Sequence, residues 1–273
     1  MTEQAERYDR IAAGYARWWA PIIAPAAVAV LDEIRPAVEA GAERILDIGT
    51  GTATLAIALL RRWPQVRVTA IDASAGMIEM AGAEADRLLA PAERERLELR
   101  VAFAADLPVA DATFDLAVSS FVLQLVPNRF RALREARRAL VPGGQLAYVT
   151  WLADDRPFAP DADFDAALDE VGIGAREWDD RPGDVPSVGG AIHQLRRAGF
   201  ADVRAWPDLL EHPFDVEGYL RFMTEFDEED LLTEMGPDVR DRFEADLRHR
   251  LAARHPSDLV IRLPTVTATG VRP

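Results

Sequence analysis

From Arg44 onward, short apolar runs alternate with stretches in which apolar residues recur at helical spacing, the pattern of a parallel sheet wound with crossover helices. Arg44 to Ile48 predicts the first strand, and Ala53 to Trp63 a helix that stops at Pro64, because the residue before proline is pushed out of the helical region. Val66 to Ile71 predicts the second strand and Ala75 to Leu89 the second helix, with Ser74 placed to cap it. Leu97 to Phe103 and Phe114 to Ser119 predict strands three and four. A helix over Asn128 to Leu140, closed by Pro142, Gly143 and Gly144, then leads into a fifth strand over Gln145 to Trp151.

Beyond Trp151 the regularity stops. Asp154 to Pro186, rich in Asp, Pro and Gly, reads as an irregular insertion. Regular structure resumes with a helix over Val188 to Ala198 and a strand over Ala201 to Trp206, followed by a charged helical region from Val216 to Ala253. Thr265 to Val271, rich in threonine and valine, predicts an edge strand. The chain divides into an N-terminal helical segment (1–40), a sheet core (41–151) and a C-terminal part (152–273).

A chain of 273 residues that is 49% hydrophobic can bury a substantial core. A formal net charge of −15, with every basic residue an arginine, repels polyanions at long range, so nucleic acid is not the expected partner. With no cysteine, disulfides, thiolate metal sites and a cysteine nucleophile are excluded. The apolar stretch from Trp18 to Leu31 is shorter than the roughly 20 residues of a spanning helix and contains Pro21 and Pro25, and the start of the chain is acidic, so no integral membrane segment and a cytoplasmic location are expected.

The candidate chemistry lies at the ends of the first three strands. Asp47 is followed by Gly49, Thr50 and Gly51, then a helix, which brings bare backbone against a ligand at the rim of the first strand. Dinucleotide-binding domains share this turn but want a third glycine three residues on, where this chain has Thr54. The Asp47 carboxylate is also a poor neighbour for a pyrophosphate and a good one for an ammonium. Asp72, 21 residues past Gly51, can accept from both hydroxyls of a ribose in either kind of cofactor. Asp106, after the third strand, can accept from an adenine amino group, with Leu107 and Met77 as apolar faces for the ring.

With these three strand-end carboxylates and the glycine turn, the chain resembles the class I S-adenosylmethionine-dependent methyltransferases, in particular the small-molecule group that includes the quinone-biosynthesis enzymes. The resemblance runs from about Tyr8 to Trp151. It implies an α/β, Rossmann-like, doubly wound sheet of seven strands, mostly parallel with the last antiparallel, under an N-terminal helical lid. By the same resemblance Asp47 and the backbone of Gly49, Thr50 and Gly51 hold the methionine moiety, Asp72 the ribose, Ala73 and Met77 the adenine faces, and Asp106 with Leu107 the adenine amino group. Ala105 and Ser120 belong to the same rim, and Tyr15 is the residue singled out in the lid.

Many relatives have a histidine after the fourth strand, whereas Ser119 to Val126 contains Gln124, which cannot act as a base. His193, His212, His249 and His255 all lie outside the cofactor motifs, and His212 is the best placed of them, after a strand end. No catalytic residue is assigned, since an activated sulfonium can react through positioning and desolvation. Tyr8, Tyr15, Trp18 and Trp19 read equally as anchors of the first helix or as contacts to substrate, and Trp178 as a weaker candidate of the same kind. The acidic run Glu225 to Asp230 reads as a solvated helix start rather than a metal site. The expected activity is methyl transfer from S-adenosyl-L-methionine to a small hydrophobic or aromatic acceptor by direct displacement. A nicotinamide-dependent oxidoreductase and a cofactor-binding protein without catalysis are the alternatives.

Overall fold

The structure, a computed structural model, describes residues 3–174 and 184–273. Along the chain run α1 (Glu3–Gly14), a π-helical turn (Tyr15–Trp19), α2 (Ala20–Glu39), β1 (Arg44–Ile48), α3 (Thr54–Arg62), β2 (Arg67–Asp72), α4 (Ala75–Leu88), α5 (Pro91–Arg94), β3 (Leu97–Val101) and β4 (Phe114–Ser120). After these come α6 (Arg129–Ala139), β5 (Leu140–Trp151), α7 (Ala159–Glu170), α8 (Val188–Arg197), β6 (Ala201–Pro213), α9 (Val216–Phe222), α10 (Glu229–Thr233), α11 (Pro237–Ala252) and β7 (Val260–Val271).

The seven strands form one sheet in the order β3-β2-β1-β4-β5-β7-β6. β1 pairs parallel with β2 and β4, β2 with β3, and β4 with β5, while β7 runs antiparallel to β5. The central strands are buried along almost their whole length (all of Ile45 to Ile48 in β1), because helices cover both faces, and this is why they read as apolar runs rather than as an alternation. The cap foreseen at Ser74 is made, its hydroxyl accepting from Met77 N at 3.0 Å, and Asn128 caps α6 by accepting from Arg131 N at 3.0 Å.

α2 runs unbroken through Pro25 and Pro36. An interior proline costs a helix about 3 kcal/mol. Against that, Ile22, Ile23, Val30, Leu31, Ile34 and Val38 are all buried along one helical stripe, each contributing roughly 1.5–3 kcal/mol. Burial decides, and the Trp18 to Leu31 stretch becomes part of a helix packed on α3, β4 and β5. Among the described residues no helix is long and apolar enough to cross a membrane.

The structure departs from the expectations in several places, and β6, expected to end at Trp206, runs on to Pro213. The segment read as irregular contains α7, a 12-residue helix whose Pro160, Phe164, Ala167 and Leu168 are buried. The charged helical region after Val216 consists of three helices and a π-helical turn (Met223–Asp227). The acidic residues Glu225 to Asp230 therefore straddle the π turn and the start of α10. β7 is not an edge strand: it lies between β5 and β6, and Thr265, Thr267 and Thr269 are buried in it. Pro142 to Gly144, expected as a turn ahead of the fifth strand, falls inside β5, where the pairing with β4 shifts register between Phe114 and Leu116.

The chain forms two compact units, Met1–Ala153 with Pro182–Asp208 and Pro264–Pro273, and Asp154–Arg181 with Leu209–Leu263. The first contains β1 to β5 and their helices. The second has its own core, in which the Phe164 and Phe243 rings meet edge-on at 5.0 Å and Leu247 and Leu251 are buried. There the Arg254 guanidinium grips the buried Asp163 carboxylate with two bonds of 2.8 and 2.7 Å.

Candidate active site

In an open α/β sheet, ligands collect beyond the carboxyl ends of the strands, where the strand order reverses. Here that point lies beyond β1, flanked by β2 on one side and β4 on the other. A cavity of about 470 Å³ occupies it, lying within the first unit. Its walls come from the ends of β1 to β4, the turn Leu125 to Asn128, Ile23 and Ala27 of α2, Tyr15 of the π turn, and Ala5 and Tyr8 of α1.

The turn after β1 is built for close approach. Gly49 N and Thr50 N both donate to Ile71 O at 2.8 Å, which ties the turn to the end of β2. Gly49 has φ +72°, and a Cβ there would lie 2.2 Å from a Val122 methyl carbon. Gly51 has φ +53°, and Ala53, at φ +65°, also adopts the left-handed region just ahead of α3. These conformations face the turn's backbone into the cavity.

Asp72, at the end of β2, lines the cavity and accepts from Gly51 N through one oxygen and from Ser74 N through the other, each at 2.9 Å. Burial pushes its carboxyl above the ordinary range, partly offset by these amides. Each oxygen retains acceptor capacity after taking one amide, so the carboxylate can still receive two hydroxyls. Tyr8 and Tyr15 stand across from it, their rings edge-on at 5.8 Å, and burial raises both phenols so that they stay protonated. A cradle of bare glycine backbone, a carboxylate with spare lone pairs and the apolar surfaces of Ala73, Met77 and Ala105 fit an adenosyl amino acid.

The cavity brings together Tyr15, Gly49, Thr50, Gly51, Asp72, Ala73, Met77, Ala105 and Ser120, and leaves out three of the expected residues. Asp47 sits behind the turn, almost fully buried, where its Oδ2 accepts from the Thr50 hydroxyl at 2.7 Å and its Oδ1 is buried without a hydrogen-bond partner. Asp106 has a side chain 84% exposed, with Arg131 at 3.6 Å. Leu107 is buried in the core of the sheet unit, and Leu107 N donates to Glu135 at 3.1 Å. Leu107 is turned into the core, while its neighbour Asp106 stands outside it. The rim after β3 is formed instead by Ala102, Phe103, Ala104 and Ala105.

Phe103, Phe121, Val122, Leu125 and Asn128 line the cavity and were not singled out from the sequence. The available signal was topological: the chain leaving β4 must emerge at the same rim as the glycine turn. Phe121 takes φ +53°, unusual for a bulky residue, and stacks at 4.0 Å on Trp151, whose ring lies 6.1 Å from Trp19. Trp19 thus anchors the start of α2 and is not part of the lining. Gln124 is engaged elsewhere, its side-chain oxygen accepting from Thr150 at 2.6 Å. His212 belongs to the second unit, edge-on to Phe214 at 4.7 Å, and its pKa is lowered by burial. Trp178 lies outside the described residues.

Burial pushes Asp47 from the ordinary 3.8 up to about 7, so the folded chain holds a proton there that the unfolded chain releases. This contribution to stability is therefore fully present at low pH and is lost as pH rises through about 7. Asp47→Asn is expected to be more stable than the parent near neutrality and to show a flatter fall in Tm between about pH 4 and pH 8. Thermal melts of the two proteins across that range check it, and parallel pH profiles would remove the assignment.

Residues 45–144 match the family model described as a methyltransferase domain. The malonyl-[acyl-carrier protein] O-methyltransferase of Geobacter sulfurreducens is 36% identical over 184 residues, covering 65% of this chain and 63% of that protein. A ubiquinone/menaquinone biosynthesis C-methyltransferase of Syntrophotalea carbinolica is 35% identical over 127 residues, 46% of this chain and 52% of that protein. The chain thus spans less than two thirds of the length of these relatives. Among solved structures, the YcgJ protein of Bacillus subtilis shares the fold at a TM-score of 0.53 and 20% identity, covering 85% of this chain and 92% of that one. The matched residues 45–144 include the cavity lining from Gly49 to Asn128, so the likeness to methyltransferases falls on the candidate site.

Proposed function

We propose that this protein transfers a methyl group from S-adenosylmethionine to a small hydrophobic or aromatic acceptor by direct displacement. The observation that carries this reading is the Asp72 carboxylate, held by two backbone amides at the rim of an otherwise largely apolar cavity beyond β1. In this reading the backbone of Gly49 to Gly51 holds the methionine part. Asp72 receives the ribose hydroxyls, and Ala73, Met77 and Ala105 flank the adenine. Phe103 adds an aromatic face at the same rim, and Ser120 and Tyr15 close the site toward the reacting end.

Bound there, S-adenosylmethionine supplies a methyl group already activated by the sulfonium. The chain's own contribution is to orient and to exclude water. Tyr8 and Tyr15, kept protonated by burial, can donate hydrogen bonds but do not accept a proton at neutral pH. No Arg or His is among the lining residues, which favours an uncharged acceptor over an anionic one. The relatives' names include both O- and C-methylation of small or carrier-bound molecules, in keeping with an acceptor chosen by shape and apolar contact.

Calorimetric titration with S-adenosylmethionine, S-adenosylhomocysteine and NADH tests the cofactor half of the proposal: the first two are expected to bind and NADH is not. Mass spectrometry of reactions with quinols, phenols and amines tests the acceptor half. Failure of both sulfur ligands to bind at millimolar concentration would overturn the whole reading.

A further inference from the structure

We propose that Asp9 is a positioning residue for the cofactor site, fixing helix α1 over the cavity and steadying the loop that carries Asp72. The inference rests on the reading of that cavity as the cofactor site.

Two neighbouring residues of α1 face in different directions. Tyr8 lines the cavity, while Asp9 reaches the first turn of α4, where its Oδ1 accepts from the Ser74 hydroxyl at 2.6 Å and from Gly76 N at 2.8 Å. The approach is close: a Cβ at Gly76 would lie 3.2 Å from both Cα and the carbonyl oxygen of Asp9, so α1 would have to give by a few tenths of an ångström to admit one. Ser74 is the hub. Its hydroxyl accepts from Met77 N at 3.0 Å, and its amide donates to Asp72 at 2.9 Å. One carboxylate on α1 is therefore joined through a single serine to the two cavity residues Asp72 and Met77.

Helix capping alone does not account for this contact, because Ser74 already caps α4 without Asp9. Nor is the contact electrostatically free. Asp9 stands close enough to Asp72 for the like charge to raise the Asp72 carboxyl, and the amides and hydroxyl that receive it hold Asp9 itself below the ordinary range, hence ionised. What the contact does secure is α1, which brings Ala5 and Tyr8 to the cavity wall. Behind α1 the helix passes through the π-helical turn Tyr15–Trp19 before it becomes α2, which is anchored by its buried apolar stripe. Such turns interrupt the regular hydrogen-bond ladder and often mark a joint at a functional site. α1 is thus held at one end by this joint and along its length by Asp9.

The test uses the full chain with Asp9→Ala and Asp9→Asn, and two readouts. Hydrogen exchange without ligand is expected to show the α1 amides of Asp9→Ala exchanging about tenfold faster than in the parent, as loss of charge-assisted hydrogen bonds predicts, with β1 and α2 unchanged. Stopped-flow release of S-adenosylhomocysteine is expected to quicken by about tenfold in the same variant. Asp9→Asn retains an oxygen able to accept both bonds, so it is expected to stay within about threefold of the parent in both readouts. Unchanged exchange in Asp9→Ala overturns the anchoring of α1, and faster exchange with unchanged ligand release overturns the link to the cofactor. An Asp9→Asn protein as impaired as Asp9→Ala overturns the hydrogen-bond account. If the parent itself does not bind S-adenosylhomocysteine, the cofactor reading of the cavity fails, while the exchange experiment still decides whether Asp9 holds α1.

Discussion

Asp72→Ala is expected to weaken S-adenosylhomocysteine binding roughly 100-fold, from the loss of about 3 kcal/mol of charge-assisted hydrogen bonding to the ribose. The same substitution strips Gly51 N and Ser74 N of their acceptor and so loosens the two loops that frame the cavity. Asp72→Asn separates these effects. It keeps one oxygen for an amide but turns an NH2 group toward a second donor, so its affinity is expected to fall between those of the parent and the alanine variant. Because burial raises the Asp72 carboxyl, affinity in the parent is expected to decline on acidification at pH values above those at which an exposed aspartate titrates. Calorimetry across pH measures both effects, and an Asp72→Ala protein within threefold of the parent would refute the ribose assignment.

The second large effect is expected at Gly49. Alanine there must adopt φ +72°, which costs an L-residue roughly 1–2 kcal/mol, and must make room against Val122, a type of overpacking that costs about 1–3 kcal/mol. The backbone has little freedom to yield, since Gly49 N and Thr50 N are both bonded to Ile71 O. Gly49→Ala is therefore expected to destabilise the fold by on the order of 3 kcal/mol, read as a drop in the denaturant midpoint at unchanged slope. Val122→Ala, added to Gly49→Ala, removes the methyl carbons at 2.2 and 2.4 Å but leaves Cβ at 2.8 Å. The double variant should accordingly recover part of the loss and not the backbone share. A cost below about 1 kcal/mol for Gly49→Ala would contradict the packing described at this turn.

Much of the sheet was legible because the signals were local. Leu116 to Val118 are apolar without alternation, and Ile45 to Ile48 and Val68 to Ile71 are so but for Asp47 and Thr69, because both faces of the sheet are covered, and Ser74 announces the helix that follows it. The ends of β1 and β2 then located Asp47 and Asp72 to the residue. The same reasoning failed at Asp106, where no regular strand fixes the alternation: the inward docking of Leu107 against the core sends the carboxylate out to Arg131. It also failed for β7. Its threonines and valines suit a half-buried strand, and nothing in the segment records that β6 lies outside it. α7 was hidden by the Asp and Pro residues of its own sequence, yet it folds because Phe164 finds a buried partner in Phe243 and Leu168 is buried beside it on the same helix.

The sequence by itself determined the strands and helices of the sheet core and the glycine turn after β1, because each depends on residues close together in the chain and on backbone conformations few residue types adopt. Only the tertiary structure decided which side chains meet in the cavity. Ile23, Asp72, Phe103 and Val122 line one cavity because the sheet order brings the strand ends and the helices beside them to a common rim. Local periodicity carries no record of that order. The anchoring of α1 by Asp9 is of the same kind, since it needs a carboxylate in the first helix to reach amides and a hydroxyl more than sixty residues further along the chain.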